Sequence, residues 1–316
     1  MKRSNKIADS DPSGGEAGNY HTAVLLSEAI EGLDIRPDGI YVDCTFGGGS
    51  HSQAILKHLN ADGKLVAFDQ DEDAKANLPV DSRVLFIPQN FRHLQRFLRL
   101  HKITQVDGIL ADLGVSSHQF DEASRGFSTR FDAALDMRMD QRQTITAADI
   151  LDKFTESQLH KMLEQYGEVT NSKTLAKTIV EQRALMPIKT IKEFKQAVQH
   201  VVKGVPQKYF AQVFQALRIE VNDELGALKE LLQQSPPLLK TGGRLAVITF
   251  HSLEDRIVKN FMKTGMVTEV AVDEVYGGRP ESPFKIISKK PILPAAVETK
   301  TNPRSRSAKL RVAEKI

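Results

Sequence analysis

The sequence predicts an α/β fold in which a wound, largely parallel sheet is interrupted by a helical insertion. Three observations predict it. From Ile40 onward, short apolar runs alternate with helical stretches, the rhythm of βαβ units. Between Asp112 and Gln212 that rhythm gives way to helix-start patterns with no strand-like run among them. It then resumes beyond Gln212, and 316 residues suffice for roughly two domains at ~100 to 200 residues each.

The elements follow in order. The runs Ile40–Cys44, Leu65–Phe68, Val84–Ile87 and Gly108–Ala111 are continuous rather than alternating, as in strands covered on both faces, and together they make a Rossmann-like half-sheet. A polar stretch, Asp121–Gln143, leads into the insertion. There, Thr146 with Asp149, Thr155 with Gln158 and Thr190 with Glu193 are capping-box pairs, and Gly167 and Gly204 stand where helices end. Gln212–Leu232 reads as one long amphipathic helix, broken by Ser235-Pro236-Pro237. Gly242-Gly243 turns into the strand Arg244–Phe250. Ser252, with Asp255 three residues on, reads as the cap of a helix through Lys263, and Ile286-Ile287 and Leu310–Ala313 read as closing strands. The chain then divides into a flexible leader over 1–19, a discontinuous sheet domain over 20–120 and 212–316, and a mainly helical inserted domain over 121–211.

Composition excludes several classes. Apolar residues make up 41% and charged residues 26%, which fits neither a disordered nor a fibrous chain. No stretch approaches the roughly 20 apolar residues of a membrane span. The leader carries basic residues but lacks the apolar core of a secretory signal, which predicts a cytoplasmic protein. The single cysteine, Cys44, rules out an internal disulfide or a Cys-based zinc cluster, and no metal-ligand cluster stands out. Residues 289–316 hold eight Lys/Arg against Glu298 and Glu314, a balance of +6 within a net charge of +3. Such a tail suits a polyanion, each phosphate contact releasing counterions, although a merely solvated tail has the same composition. Aromatic content of 6% with no Trp argues against extensive base stacking.

The chemistry-bearing motifs fall at strand ends. Asp43-Cys44-Thr45-Phe46-Gly47-Gly48-Gly49 closes the first strand, and consecutive glycines before a helix let backbone approach a ligand closely. A dinucleotide fingerprint would need glycine where Ser52 stands, so a nicotinamide enzyme is the weaker reading. The spacing suits S-adenosylmethionine better, with Asp43 available to its amino group. Asp69 ends the second strand about 20 residues on, the place of a ribose-binding carboxylate. Phe91 follows the third strand and suits an adenine face. Asp112, ahead of Gly114, Ser116 and Ser117, faces the reacting end of any ligand laid across the sheet, while His118 reads as a solvated loop histidine. Arg218 and Asn222 share a helix face suited to an anion or a base, and His251, Ser252, Glu254 and Asp255 emerge at the same sheet edge.

These segments resemble the MraW-type bacterial methyltransferases, from His21-Thr22-Ala23-Val24 through Leu135-Asp136-Met137-Arg138 and Phe214-Gln215-Ala216-Leu217-Arg218 to Asn302-Pro303-Arg304-Ser305-Arg306. The resemblance implies a Rossmann-like methyltransferase sheet with a helical insert. It also implies S-adenosylmethionine as cofactor and the exocyclic N4 of a cytidine in the decoding region of small-subunit (16S) ribosomal RNA as target. The implied cofactor contacts are Gly49, Ser50, His51, Asp69, Phe91, Asp112 and Gln119. Ser50 departs from the family's glycine loop, a change that costs little at negative φ and strains a left-handed backbone. Because the N4 lone pair is delocalised into the ring, its N–H groups need an acceptor. Asp112 is the best-placed one, with Ser116 assisting. Carbon-5 methylation would require a thiolate nucleophile, and Cys44 stands in the wrong place for one. The implied partner is ribosomal RNA or a ribosomal subunit, no membrane is involved, and the oligomeric state stays open between monomer and dimer.

Overall fold

A computed structural model describes residues 23–267 and 281–316; the leader over 1–19, like His21 and Thr22, lies outside the described residues. Seven strands form one sheet: β1 (Ile40–Asp43), β2 (Lys64–Phe68), β3 (Val84–Ile87), β4 (Val106–Asp112), β5 (Leu239–Thr249), β6 (Phe284–Ile286) and β7 (Lys309–Lys315). Their order is β3-β2-β1-β4-β5-β7-β6, with β1 to β5 parallel and β7 antiparallel to both β5 and β6. The chain thus reverses its winding between β1 and β4, and the crevice of an open α/β sheet opens at that switch, beyond the carboxyl ends of the strands.

Continuous apolar runs are buried on both faces. Val42, Ile109 and Val247 point into one core with Leu228 and Phe261, whereas Tyr41, Leu110 and Ile248 point into the other with Leu33 and Ile55. Each fully buried aliphatic side chain contributes about 1.5–3 kcal/mol, so two-sided burial holds these strands despite their shortness. The covering helices are α1 (Leu26–Leu33), α2 (Ser50–His58) and α3 (Leu94–Leu100), and after β4 comes the short α4 (Ser117–Asp121).

Between β4 and β5 the chain builds a separate core. Helices α5 (Ala147–Lys153), α6 (Glu156–Gln165), α7 (Ser172–Leu185), α8 (Ile191–Val198) and α9 (Pro206–Asn222) pack around Leu135, Leu159, Ile179, Phe194 and Leu217. All three capping boxes form as the sequence indicates, at Thr146, Thr155 and Thr190.

Four local expectations are corrected. Gln212–Leu232 is not one helix: α9 ends at Asn222, Asp223 takes a left-handed conformation (φ 46, ψ 45), and α10 (Glu224–Leu238) begins. Asp223 is fastened there by Arg92 at 2.7 Å. Pro236 and Pro237 do not break α10 ahead of its end but lie in its last turn, where Ser235 Oγ donates to the Leu231 carbonyl at 2.8 Å. Strand β5 begins at Leu239, before the glycines, and Gly242 (φ 81) lies in an irregularity between the Val106–Leu239 and Gly108–Arg244 pairs. Finally, α11 (Ser252–Thr264) is capped by His251 with Glu254, one residue earlier than expected, which frees Asp255 to pair with Lys309 and Arg311. A last helix, α12 (Ala296–Thr301), precedes β7.

Candidate active site

A cleft of about 1200 Å³ opens at the carboxyl ends of β1, β2 and β4, and Gly47, Gly49, Asp69, Phe91, Asp112 and Ser116 all line it. The glycine loop is shaped by left-handed backbone at Gly47 (φ 49) and Gly49 (φ 76). A Cβ on Gly49 would stand 2.9 Å from the Phe46 ring, so glycine is required there. Ser50 is the first residue of α2 and has no positive φ, so the serine is unstrained. Asp69 Oδ2 accepts from the Gly47 N–H at 2.7 Å and Oδ1 from the Asp71 N–H at 2.8 Å. One lone pair on each oxygen stays available to a ligand. Burial pushes the Asp69 carboxyl up to about 6.

Asp112 ends β4, and its own N–H is held by Thr45 Oγ1 at 2.8 Å. Its side chain is 22% exposed, yet Oδ1 is shielded and has no hydrogen-bond partner among the described residues. A shielded orphan acceptor costs free energy until something donates to it, and such orphans cluster at functional sites. Burial pushes the Asp112 carboxyl well above the carboxylate range, and Asp43, Glu254 and Glu298 push it the same way. His51 is buried in the first turn of α2, with Nε2 3.2 Å from the Val24 carbonyl and Nδ1 3.7 Å from Asp112 Oδ2.

Some expected roles change. Asp43 does not meet a ligand amine: it is 1% exposed, and its oxygens accept from Thr45 N–H at 3.1 Å and Ser52 Oγ at 2.7 Å beneath the loop. Arg218 and Asn222 do not offer a free binding face. Arg218 is bidentate on Glu224 at 2.8 and 2.9 Å, and Asn222 ties down Met137 and Met139 backbone. Ser116 and Gln119 reach the cleft wall but are joined in a capping box, with the Gln119 amide donating to Asp71 at 2.7 Å. His118 is exposed, 3.4 Å from Asp73.

The segment after β5, read from the sequence as emerging at this sheet edge, reaches the cleft, and Arg125 joins it unannounced. Phe250 follows β5 and packs on Gly114, whose φ of 98 and lack of a Cβ make room for the ring. Glu254 is 2% exposed and accepts from the Phe250 N–H at 2.8 Å. Burial opposes its charge, but His251, Arg218 and that N–H more than offset this and hold its carboxyl below the usual range. Glu224, His251 and Glu254 gather within 4.8 Å. His251 Nδ1 accepts from the Glu254 N–H, which puts the proton on Nε2, 3.1 Å from Glu254 Oε1, while Arg218 holds Glu224. Arg125 joins the two cores: it pairs with Asp71 and Asp73 at 2.9 Å each and donates to the Arg138 and Met139 carbonyls. A Ser-x-x-Gln pattern at 116–119 was the one local signal of this network.

The family model of the MraW methylases matches residues 18–316. The chain belongs to the MraW methylase family. Among its relatives, the ribosomal RNA small subunit methyltransferase H of Flavobacterium johnsoniae is 54% identical over 298 residues, covering 94% of this chain and 98% of the relative. The protein of the same name from Parabacteroides distasonis is 53% identical over 299 residues, with 94% and 98% covered. The seven-stranded sheet and its cleft are therefore the frame of an MraW-family methyltransferase. No helix among the described residues is long and apolar enough to cross a membrane.

Proposed function

We propose that this MraW-family enzyme transfers a methyl group from S-adenosylmethionine to the exocyclic N4 of a cytidine in the decoding region of 16S ribosomal RNA, in the cytoplasm. The observation that carries the reading is the meeting, in one cleft, of the left-handed glycine loop, Asp69 and Asp112, whose Oδ1 has no partner among the described residues. The relatives' names point to the same class of RNA.

The cleft fits the cofactor. Carboxylates at Asp69 and Asp112 suit a ligand carrying positive charge, and the glycine loop admits its backbone-hugging end. In this reading Gly49, Ser50 and His51 form the loop wall, Asp69 takes the ribose hydroxyls, Phe91 covers the adenine, and Gln119 holds the wall through Asp71. S-adenosylmethionine supplies an already activated methyl group, so the protein's work is alignment and disposal of a proton. Asp112 accepts an N4–H, drawing the nitrogen toward an amine-like geometry, and the Ser116 hydroxyl stands beside it on the cleft wall. Cys44 is 1% exposed and burial pushes its thiol well up, which opposes the thiolate that carbon-5 chemistry needs. The helical segment between β4 and β5, with its own core, acts as an inserted domain that closes the RNA side of the cleft.

The test is methyl transfer from labelled S-adenosylmethionine to 16S RNA and to small subunits, with the modified nucleoside located by mass spectrometry. N4-methylcytidine in the decoding region is expected, and Asp112→Asn should cut turnover at least about a hundredfold while the protein stays folded. A methyl group on carbon-5, or undiminished activity of Asp112→Asn, overturns the reading.

A further inference from the structure

We propose that His51 is a positioning residue that shares one proton with Asp112, and that a cation in the cleft draws this proton onto the imidazole. The inference rests on the reading of the cleft given above and moves His51 from the cofactor wall to the proton path.

Val24 offers His51 a carbonyl oxygen, which has no hydrogen to donate, so Nε2 carries the ring proton and Nδ1 presents a lone pair. That lone pair faces Asp112 Oδ2 at 3.7 Å, and His51 is 5% exposed. A neutral imidazole nitrogen and a carboxylate oxygen repel in so shielded a place unless one proton lies between them. With that proton the pair is either a carboxylic acid beside a neutral imidazole or a carboxylate beside an imidazolium, and the two forms have equal net charge.

The surroundings choose between the forms. Asp43 acts on both groups, and Glu254 from α11 and Glu298 from α12 act on Asp112. Burial raises Asp112 and lowers His51, so without a cation in the cleft the proton rests on Asp112. A sulfonium beside Asp112 favours its carboxylate, and Asp43, anchored by Ser52 and Thr45, favours the imidazolium on the far side. Asp112 therefore becomes a proton acceptor when a charged methyl donor is in place. The transfer then balances. The N4 lone pair forms the new N–C bond, the S–C electron pair stays on sulfur, and one N4 proton passes to Asp112. The positive charge that leaves sulfur ends on the doubly protonated Asp112–His51 pair, opposite Asp43.

Side-chain nitrogen NMR of His51 reads this proton directly. With S-adenosylmethionine bound at neutral pH, Nδ1 is expected to be protonated; with S-adenosylhomocysteine, which lacks the methyl group and its charge, it is expected to be unprotonated. Identical His51 spectra with both molecules bound overturn the proposal. In the unliganded protein, comparison of the Asp112 carboxyl carbon with His51 Nδ1 is expected to show a protonated acid beside an unprotonated imidazole nitrogen at neutral pH, and an ionised Asp112 beside an unprotonated Nδ1 also overturns the proposal. That comparison needs neither RNA nor cofactor, so it stands apart from any failure of the proposed reaction, and it decides alone if neither molecule binds. His51→Gln keeps a donor for Val24 but no titrating nitrogen. It is expected to hold cofactor affinity and RNA KM within about twofold, lose kcat about tenfold or more, and flatten the pH profile of kcat. Weakened cofactor binding with unchanged kcat would make His51 an ordinary contact and overturn the proposal; should His51→Gln not fold, the spectra decide.

Discussion

Each oxygen of Asp69 is already held by one backbone N–H, yet burial lifts its carboxyl to about 6. A carboxyl raised in this way loses its charge as pH falls through that value, and a protonated Asp69 gives up one acceptor for a ribose hydroxyl. Affinity for S-adenosylmethionine is expected to fall as pH drops below about 6, measured by calorimetry, and Asp69→Asn is expected to bind weakly at every pH. Gly49→Ala places a Cβ 2.9 Å from the Phe46 ring on a backbone of φ 76, and should destabilise the protein by about 2 kcal/mol or more in denaturant unfolding. At this scale the sequence was legible wherever a strand end fixed the residue. Asp69 and Asp112 stand at the tips of β2 and β4, and that position follows from two apolar runs. The direction of a side chain was not legible. His51 turns toward Val24, and Asp43 is claimed by Ser52, because of partners that no local pattern announces.

Helix starts in the second core were readable because a capping box is a contact between residues three apart, complete within the sequence window. The start of α11 was not, since the cap is a histidine whose Nδ1 accepts from the Glu254 N–H, an uncommon use of that side chain. The two assignments differ measurably. Ser252→Ala should change stability by less than about 0.5 kcal/mol, while His251→Ala should cost about 1–2 kcal/mol in thermal or denaturant unfolding, because it removes the cap and a partner of the buried Glu254. The break between α9 and α10 was hidden for another reason. Asp tolerates a left-handed backbone, but residue type alone does not mark a joint inside a helical run, and here Asp223 is also tied to Arg92 across the fold. The consequence is functional: Asn222 and Glu224, two apart and so on different faces of a continuous helix, both line the cleft on either side of the joint.

For the molecule as a whole, the parallel sheet and the interruption were legible, while the fate of the basic tail was not. Lys309 and Arg311 lie in β7 and pair with Asp255, and Arg304 pairs with Asp121 and covers the Phe120 ring at 5.0 Å, so much of the charge serves the fold. Arg311→Ala should therefore destabilise by about 1–3 kcal/mol. The exposed Lys300 and Arg306 are therefore expected to make the RNA contacts: replacing each by Ala should weaken RNA binding and lower the slope of log affinity against log salt by about one. Because the helical core is spliced between β4 and β5, the partners Asp112 and Ile248 are remote in the chain, and their pairing carries a large loop-closure entropy. Collapse of the intervening helices shortens the span that diffusion must search. Pulse-labelled hydrogen exchange during refolding should find amides of α5 to α9 protected ahead of the β4–β5 ladder. A lesion among the helical-core residues that do not reach the cleft would then act as a kinetic brake on assembly of the reaction centre.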